Sequence, residues 1–133
     1  MLKKLDLTSL EKALTSLQKA IERYGREPGD EEVRDSVIQR FEYSYELCWK
    51  MLSKELQQRT PSPSQTPSLD FKSLVREGSR FGLIDDPEVW FEYRRMRNIT
   101  SHTYDEATAE KVAGSAKSFL KDAKSLLEAL EKG

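Results

Sequence analysis

An all-α fold, an antiparallel four-helix bundle with one short additional helix, is what this sequence predicts. Three observations carry that prediction: apolar residues recur at three- and four-residue steps over long windows, no segment alternates in the manner of a strand, and the breaks between windows carry helix stop and start residues. Composition agrees with it. Apolar residues make up 37% of the chain and charged residues 34%, which suits long amphipathic helices with heavily charged outer faces. A chain of 133 residues without a low-complexity half is expected to form a single helical domain over residues 1–133.

The first helix starts at the capping box Thr8-Ser9-Leu10-Glu11, continues through Leu10, Ala13, Leu14, Leu17, Ala20, Ile21 and Tyr24, and ends at Gly25. After the turn Glu27-Pro28-Gly29, a longer helix is predicted from about Asp30 to Gln58. Its acidic start, Asp30, Glu31 and Glu32, suits the positive end of the helix dipole better than a metal site. Its stripe Val33, Val37, Ile38, Phe41, Tyr45, Cys48, Leu52 and Leu56 is widened by Trp49 and Met51, with Tyr43 on another face. Aromatics on more than one face suit a helix buried both by its own bundle and by a partner.

Thr60 to Pro67 holds three prolines and reads as a surface loop. Ser68 is expected to cap a short helix carrying Phe71, Leu74, Val75 and Phe81, ended by Gly82. Asp86-Pro87 then restarts the chain as N-cap and first helical residue. The helix that follows has Val89, Trp90, Tyr93 and Met96 on its apolar side and reaches Arg97 to His102. Thr103-Tyr104-Asp105-Glu106 has the form of a second capping box, and from about Asp105 the last helix runs to Glu131. Gly114 inside it suggests a close helix approach.

Charge and cysteine usage exclude several classes of function. Basic and acidic residues number 22 and 23, so no global field draws in nucleic acid, and an RNA contact must rest on a local patch such as Arg94, Arg95 and Arg97. The single cysteine, Cys48, lies in an apolar helical pattern and reads as a buried free thiol. No metal-ligand spacing, glycine-rich phosphate loop or nucleophile elbow occurs, so neither a metal nor a cofactor is expected. The N-terminal residues lack the apolar run of a secretory signal, and no stretch is long and apolar enough to span a membrane. A cytoplasmic protein is expected.

Chemistry concentrates in Arg97-Asn98-Ile99-Thr100-Ser101-His102-Thr103-Tyr104-Asp105, which contains the only histidine. Imidazole exchanges protons near neutral pH and guanidinium fits phosphate oxygens in a two-pronged way, so the pair suits phosphodiester chemistry. Yet a lone histidine near a helix end is more often a surface or capping residue than a catalyst. Residues five apart on a regular helix are also rotated by about 140°, so Arg97 and His102 do not serve one site on one straight helix. Either the helix ends or distorts between them, or a second copy of the chain supplies the complementary groups across a two-fold axis.

Arg97-Asn98-x-x-x-His102-x-Tyr104 resembles the R-x4-H-x-Y motif of HEPN-domain ribonuclease toxins of HEPN/MNT toxin-antitoxin modules. Phe41-Glu42-Tyr43-Ser44-Tyr45-Glu46-Leu47-Cys48-Trp49-Lys50, taken with Ser101 to Glu106, resembles the branch called nucleotidyltransferase substrate-binding proteins. The likeness runs from Leu10 onward. It implies a HEPN-like helical fold, catalytic Arg97 and His102, an orienting Asn98, and a Tyr104 that a nucleotidyltransferase antitoxin of the MNT type modifies with AMP. It also implies a homodimer with both motifs at a shared cleft, acting as a metal-independent endoribonuclease on RNA.

On that reading His102 is general base to a ribose 2′-hydroxyl or general acid to the leaving 5′-oxygen, and Arg97 stabilises the phosphorane. Two other readings stand beside it. In one the chain is a non-catalytic subunit that presents a nucleotide or other substrate to a nucleotidyltransferase, with Arg97 and His102 as phosphate ligands. In the other it is a plain helical adaptor.

Overall fold

The computed structural model describes residues 4–59 and 70–132, and among these every regular element is helical. The elements are α1 (Thr8–Arg26), α2 (Glu31–Arg59), α3 (Phe71–Arg80), α4 (Pro87–Asn98), a single 3-10 turn (Thr100–His102) and α5 (Glu106–Lys132). Helices α1, α2, α4 and α5 form the bundle, and α3 is the short extra. Arg34 in the first turn of α2 bonds Glu106 at the start of α5 at 3.0 Å. Those two helices therefore run the same way, each with antiparallel neighbours.

The apolar stripes read from the sequence meet in one core. Phe119 of α5 is its hub, edge-on to Phe41 of α2 at 5.0 Å and to Tyr93 and Trp90 of α4 at 5.3 and 5.9 Å. Edge-to-face pairs at such separations add to the burial of the rings themselves. Cys48 is fully buried, and that burial pushes its thiol well above the usual range, as expected of an inert core residue. Tyr93 donates its hydroxyl to Asp122 across the α4–α5 seam. Among the described residues no helix is long and apolar enough to cross a membrane, and no cluster of metal-ligating side chains occurs.

Several helix ends differ from expectation, for a common reason. Neither threonine capping box forms. At α1 the carboxylate of Asp6 accepts from the Thr8 N–H at 3.0 Å, and at α5 Asp105 accepts from the Thr108 N–H at 3.0 Å. An ionised aspartate is a stronger acceptor than a threonine hydroxyl. Thr103 turns instead to donate to the Thr100 carbonyl at 3.1 Å. Asp30 and Asp86 cap α2 and α4 through the N–H groups of Glu32 and Glu88, at 2.9 and 3.0 Å.

Thr60 to Pro67 and the expected cap Ser68 lie outside the described residues, while Asp70 caps α3 through the Ser73 N–H at 2.7 Å. Helix α1 continues past Gly25 to Arg26, and α3 stops at Arg80. Gly82 turns the chain after α3 at φ +77.

The close approach expected at Gly114 is absent: a Cβ there would meet nothing within 4 Å. It occurs at Gly78, where a Cβ would stand 3.1 Å from a Leu52 methyl and 3.2 Å from an Ile84 methyl. The difference lies in which face each glycine occupies, since Gly114 points to solvent and Gly78 into the seam with α2.

Candidate functional site

The helix carrying the motif ends inside it. α4 stops at Asn98, Ile99 closes it with its N–H on the Arg95 and Met96 carbonyls at 3.3 and 3.2 Å, and the chain tightens into the 3-10 turn. His102 is the last residue of that turn, and its N–H bonds the Ile99 carbonyl at 3.0 Å. Arg97 therefore projects from a regular helix and His102 from a tighter one. The 140° separation of a straight helix does not apply.

Arg97 is held by α2. Its Nε donates to Glu46 Oε1 at 2.7 Å, and neither Nη group has a partner among the described residues. One turn earlier on α2, Glu42 Oε2 accepts from the Thr100 hydroxyl at 2.7 Å. That hydroxyl also lies 2.8 Å from the Arg97 carbonyl, so its single proton is shared between two acceptors. Thr100 is buried, and the pair of contacts fixes the backbone between the two motif residues.

His102 is exposed, with its Nδ1 3.5 Å from the Tyr104 hydroxyl and the two rings edge to face at 5.9 Å. Tyr104 is 86% exposed, the most accessible large apolar side chain described. It stands on the turn between the 3-10 helix and α5, clear of the core. Asn98 makes no hydrogen bond to His102. It lines a groove of about 460 Å³ between α3 and α4 with Phe71, Phe91, Arg94 and Arg95. No hydrogen bond joins Arg97 to His102 either, so the chain carries the motif across the end of α4 and the 3-10 turn without closing it into a hydrogen-bond network.

The three arginines are not equivalent. Arg94 lies over Phe71, its Cζ 4.6 Å from the ring centroid, a cation–π contact. Beside it the buried Tyr45 phenol is pushed up to about 12 by its burial, with the Arg94 charge acting in the opposite direction. Arg95 faces outward and pairs with Glu92 at 2.7 Å. The expected basic patch is thus divided among an aromatic ring and two carboxylates. Only the Nη edge of Arg97 and the solvent edge of Arg95 remain to meet a phosphate.

Sequence reasoning missed Glu42, Glu46 and Thr100 as members of this site. The available signal was a pair of carboxylates four apart on the most aromatic helix of the chain, a spacing that puts both on one face. Which partner they would face is a tertiary fact.

Comparison with known proteins bears on the same segment. Residues 5–132 match the family described as nucleotidyltransferase substrate binding protein like. A relative from Haemophilus influenzae, named probable ribonuclease HepT, is 39% identical over 135 aligned residues, covering 96% of this chain and 92% of the relative. A solved Haemophilus influenzae structure, described as the fold of a substrate binding domain of a nucleotidyltransferase, superposes with a TM-score of 0.89 at 36% identity. That superposition covers 94% of this chain and 98% of the other.

Proposed function

Because the chain belongs to the nucleotidyltransferase substrate binding protein like family, we propose that it is the ribonuclease toxin of a toxin–antitoxin pair, silenced by AMP transfer to Tyr104 from a nucleotidyltransferase antitoxin. The observation that carries the reading is its 39% identity, over nearly the full length of both chains, to a protein named probable ribonuclease. The motif chemistry supports it. Arg97 offers two Nη groups without a partner among the described residues and His102 an exposed imidazole, the two functions that metal-independent cleavage of RNA needs.

In this mechanism the 2′-oxygen of a ribose attacks the adjacent phosphorus as one imidazole takes its proton. The bond to the 5′-oxygen then breaks as a second imidazole returns a proton to it. A 2′,3′-cyclic phosphate and a 5′-hydroxyl end result. Arg97 stabilises charge on the phosphorane through its Nη groups, in the fork geometry that guanidinium offers. A two-fold homodimer supplies both histidines at one cleft, one as base and one as acid. Asn98 of one copy then orients an imidazole across the axis, consistent with the absence of a hydrogen bond to its own His102. Both Arg94 and Arg95 line the groove beside Asn98, but with Arg94 on Phe71 it is Arg95 that guides RNA toward the cleft.

AMP on Tyr104 places a nucleotide and a phosphodiester anion at the same turn. It takes the space and the cation that substrate phosphate needs. A second reading is favoured by the description of the solved neighbour: a non-catalytic subunit presenting substrate to a nucleotidyltransferase, with Arg97 and His102 as phosphate ligands. One experiment separates the two. The purified chain, treated with chelator and given single-stranded RNA, should cleave it, and His102→Ala and Arg97→Ala should each lower the rate by about 10²-fold or more without loss of helicity. Intact RNA with the parent protein, or cleavage that needs added metal, overturns the ribonuclease reading.

A further inference from the structure

Glu42 and Glu46 have no part in the chemistry just described, yet both reach the end of α4. Glu46 Oε1 takes the Arg97 Nε–H at 2.7 Å, and Glu42 Oε2 takes the Thr100 hydroxyl at 2.7 Å. Thr100 in turn lies 2.8 Å from the Arg97 carbonyl and receives the Thr103 hydroxyl on its own carbonyl at 3.1 Å. The grip therefore includes the arginine side chain and the backbone before His102, which the Thr103 hydroxyl also holds from the other side. Resting on the ribonuclease reading, we propose that Glu46 and Glu42 are positioning residues for RNA cleavage: Glu46 aims the Arg97 guanidinium and, through Thr100, Glu42 fixes the turn that presents His102.

The choice of nitrogen supports this assignment. A carboxylate on an Nη group would use one prong of the fork, whereas here the carboxylate takes Nε and both Nη groups are left without a hydrogen-bond partner among the described residues. The support is rigid, because Phe41, Tyr45 and Cys48, interleaved with the two glutamates, are buried. An arginine so held has lost its rotamer freedom before substrate arrives, which lowers the entropic cost of reaching the transition state. Simple stabilisation does not account for the contact as well. Glu46 and Arg97 are 46% and 33% exposed in their side chains, and a pair so open to water contributes little to folding.

The test is metal-free cleavage of a fluorogenic single-stranded RNA by the full chain. Glu46→Ala should lower kcat by about 10- to 100-fold with KM nearly unchanged, since a displacement of about 1 Å at a reacting group costs up to ~10²-fold. Glu46→Gln keeps an oxygen acceptor for Nε and should restore most of the loss, whereas relief of charge neutralisation would raise the rate in both variants. Thr100→Ser should behave as parent and Thr100→Val should lose kcat. In the NMR spectrum, the Nε–H resonance of Arg97 should be resolved in the parent and in Glu46→Gln but merge with those of free arginines in Glu46→Ala.

A Glu46→Ala protein with parental kcat, a loss confined to KM, or Glu46→Gln as damaged as Glu46→Ala overturns the positioning role. In each of those cases an active parent and an inactive His102→Ala leave the ribonuclease reading standing. An inactive parent removes both.

Discussion

At the scale of single residues, the environment assigns different work to side chains of one type. Arg94 covers Phe71, Arg95 pairs with Glu92 at the surface, and of these three only Arg97 combines a bonded Nε with Nη groups that have no hydrogen-bond partner among the described residues. Tyrosines divide in the same manner. Tyr45 and Tyr93 are buried and their phenols are held well above the usual range, so neither is a nucleophile near neutral pH. Tyr104 is 86% exposed beside His102. On the proposed function, Tyr104→Phe should therefore fold as the parent does and escape silencing by a nucleotidyltransferase antitoxin. Intact-mass analysis after incubation with the antitoxin and ATP should show a mass gain in the parent that is absent from Tyr104→Phe, and a gain that persists in the variant would place the modification elsewhere.

At the scale of helices, aspartates set the starts and one glycine is open to improvement. Hydrogen bonds from the Ser73 and Thr108 backbone and side chains hold the Asp70 and Asp105 carboxyls below their ordinary value of 3.8. Their folded-state values lie below the unfolded ones, so their contribution is present above about pH 4 and fades as the pH falls through the lower, folded values. Asp70→Asn and Asp105→Asn should flatten the acid limb of a plot of melting temperature against pH. A limb as steep as the parent's would show that other carboxylates dominate acid unfolding.

Gly114 has nothing within 4 Å of its absent Cβ and lies on the exposed face of α5. Gly114→Ala should accordingly stabilise the protein by roughly 0.5–1 kcal/mol, the intrinsic helix difference, measured by urea unfolding. The same change at Gly78 meets the Leu52 and Ile84 methyls at 3.1 and 3.2 Å and should give less, or reverse the sign.

At the scale of the whole molecule, the chain presents the motif openly at the end of α4 and on the turn after it and leaves it unclosed. Arg97 and His102 share no hydrogen bond, and Asn98 faces the α3–α4 groove. Trp49 on α2 is 38% exposed beside the Glu46 carboxylate, in a shallow groove that also includes Leu47. A second copy packed on this side would cover that apolar surface and bring the two motifs to one cleft. Light scattering at micromolar concentration should give twice the mass of one chain. Mixing inactive Arg97→Ala with inactive His102→Ala protein should restore part of the activity if each cleft draws on both chains. A monomer that cleaves RNA at full rate would remove the shared cleft.

The sequence by itself determined the helices, the core and the location of the motif. Period 3.6 patterning identified the residues that bury themselves, because burial of one stripe is a local property of a helix, and R-x4-H-x-Y is legible as a string. Polar contacts between helices were not legible. Asp6 and Asp105 took over the helix starts from the expected threonine caps by accepting from other N–H groups, those of Thr8 and Thr108, while the Glu11 N–H stays on the Leu7 carbonyl. Glu42 and Glu46 meet Thr100 and Arg97 across more than fifty residues of chain. Such a pairing depends on the crossing and rotation of α2 against α4, which side-chain packing sets and no local pattern encodes.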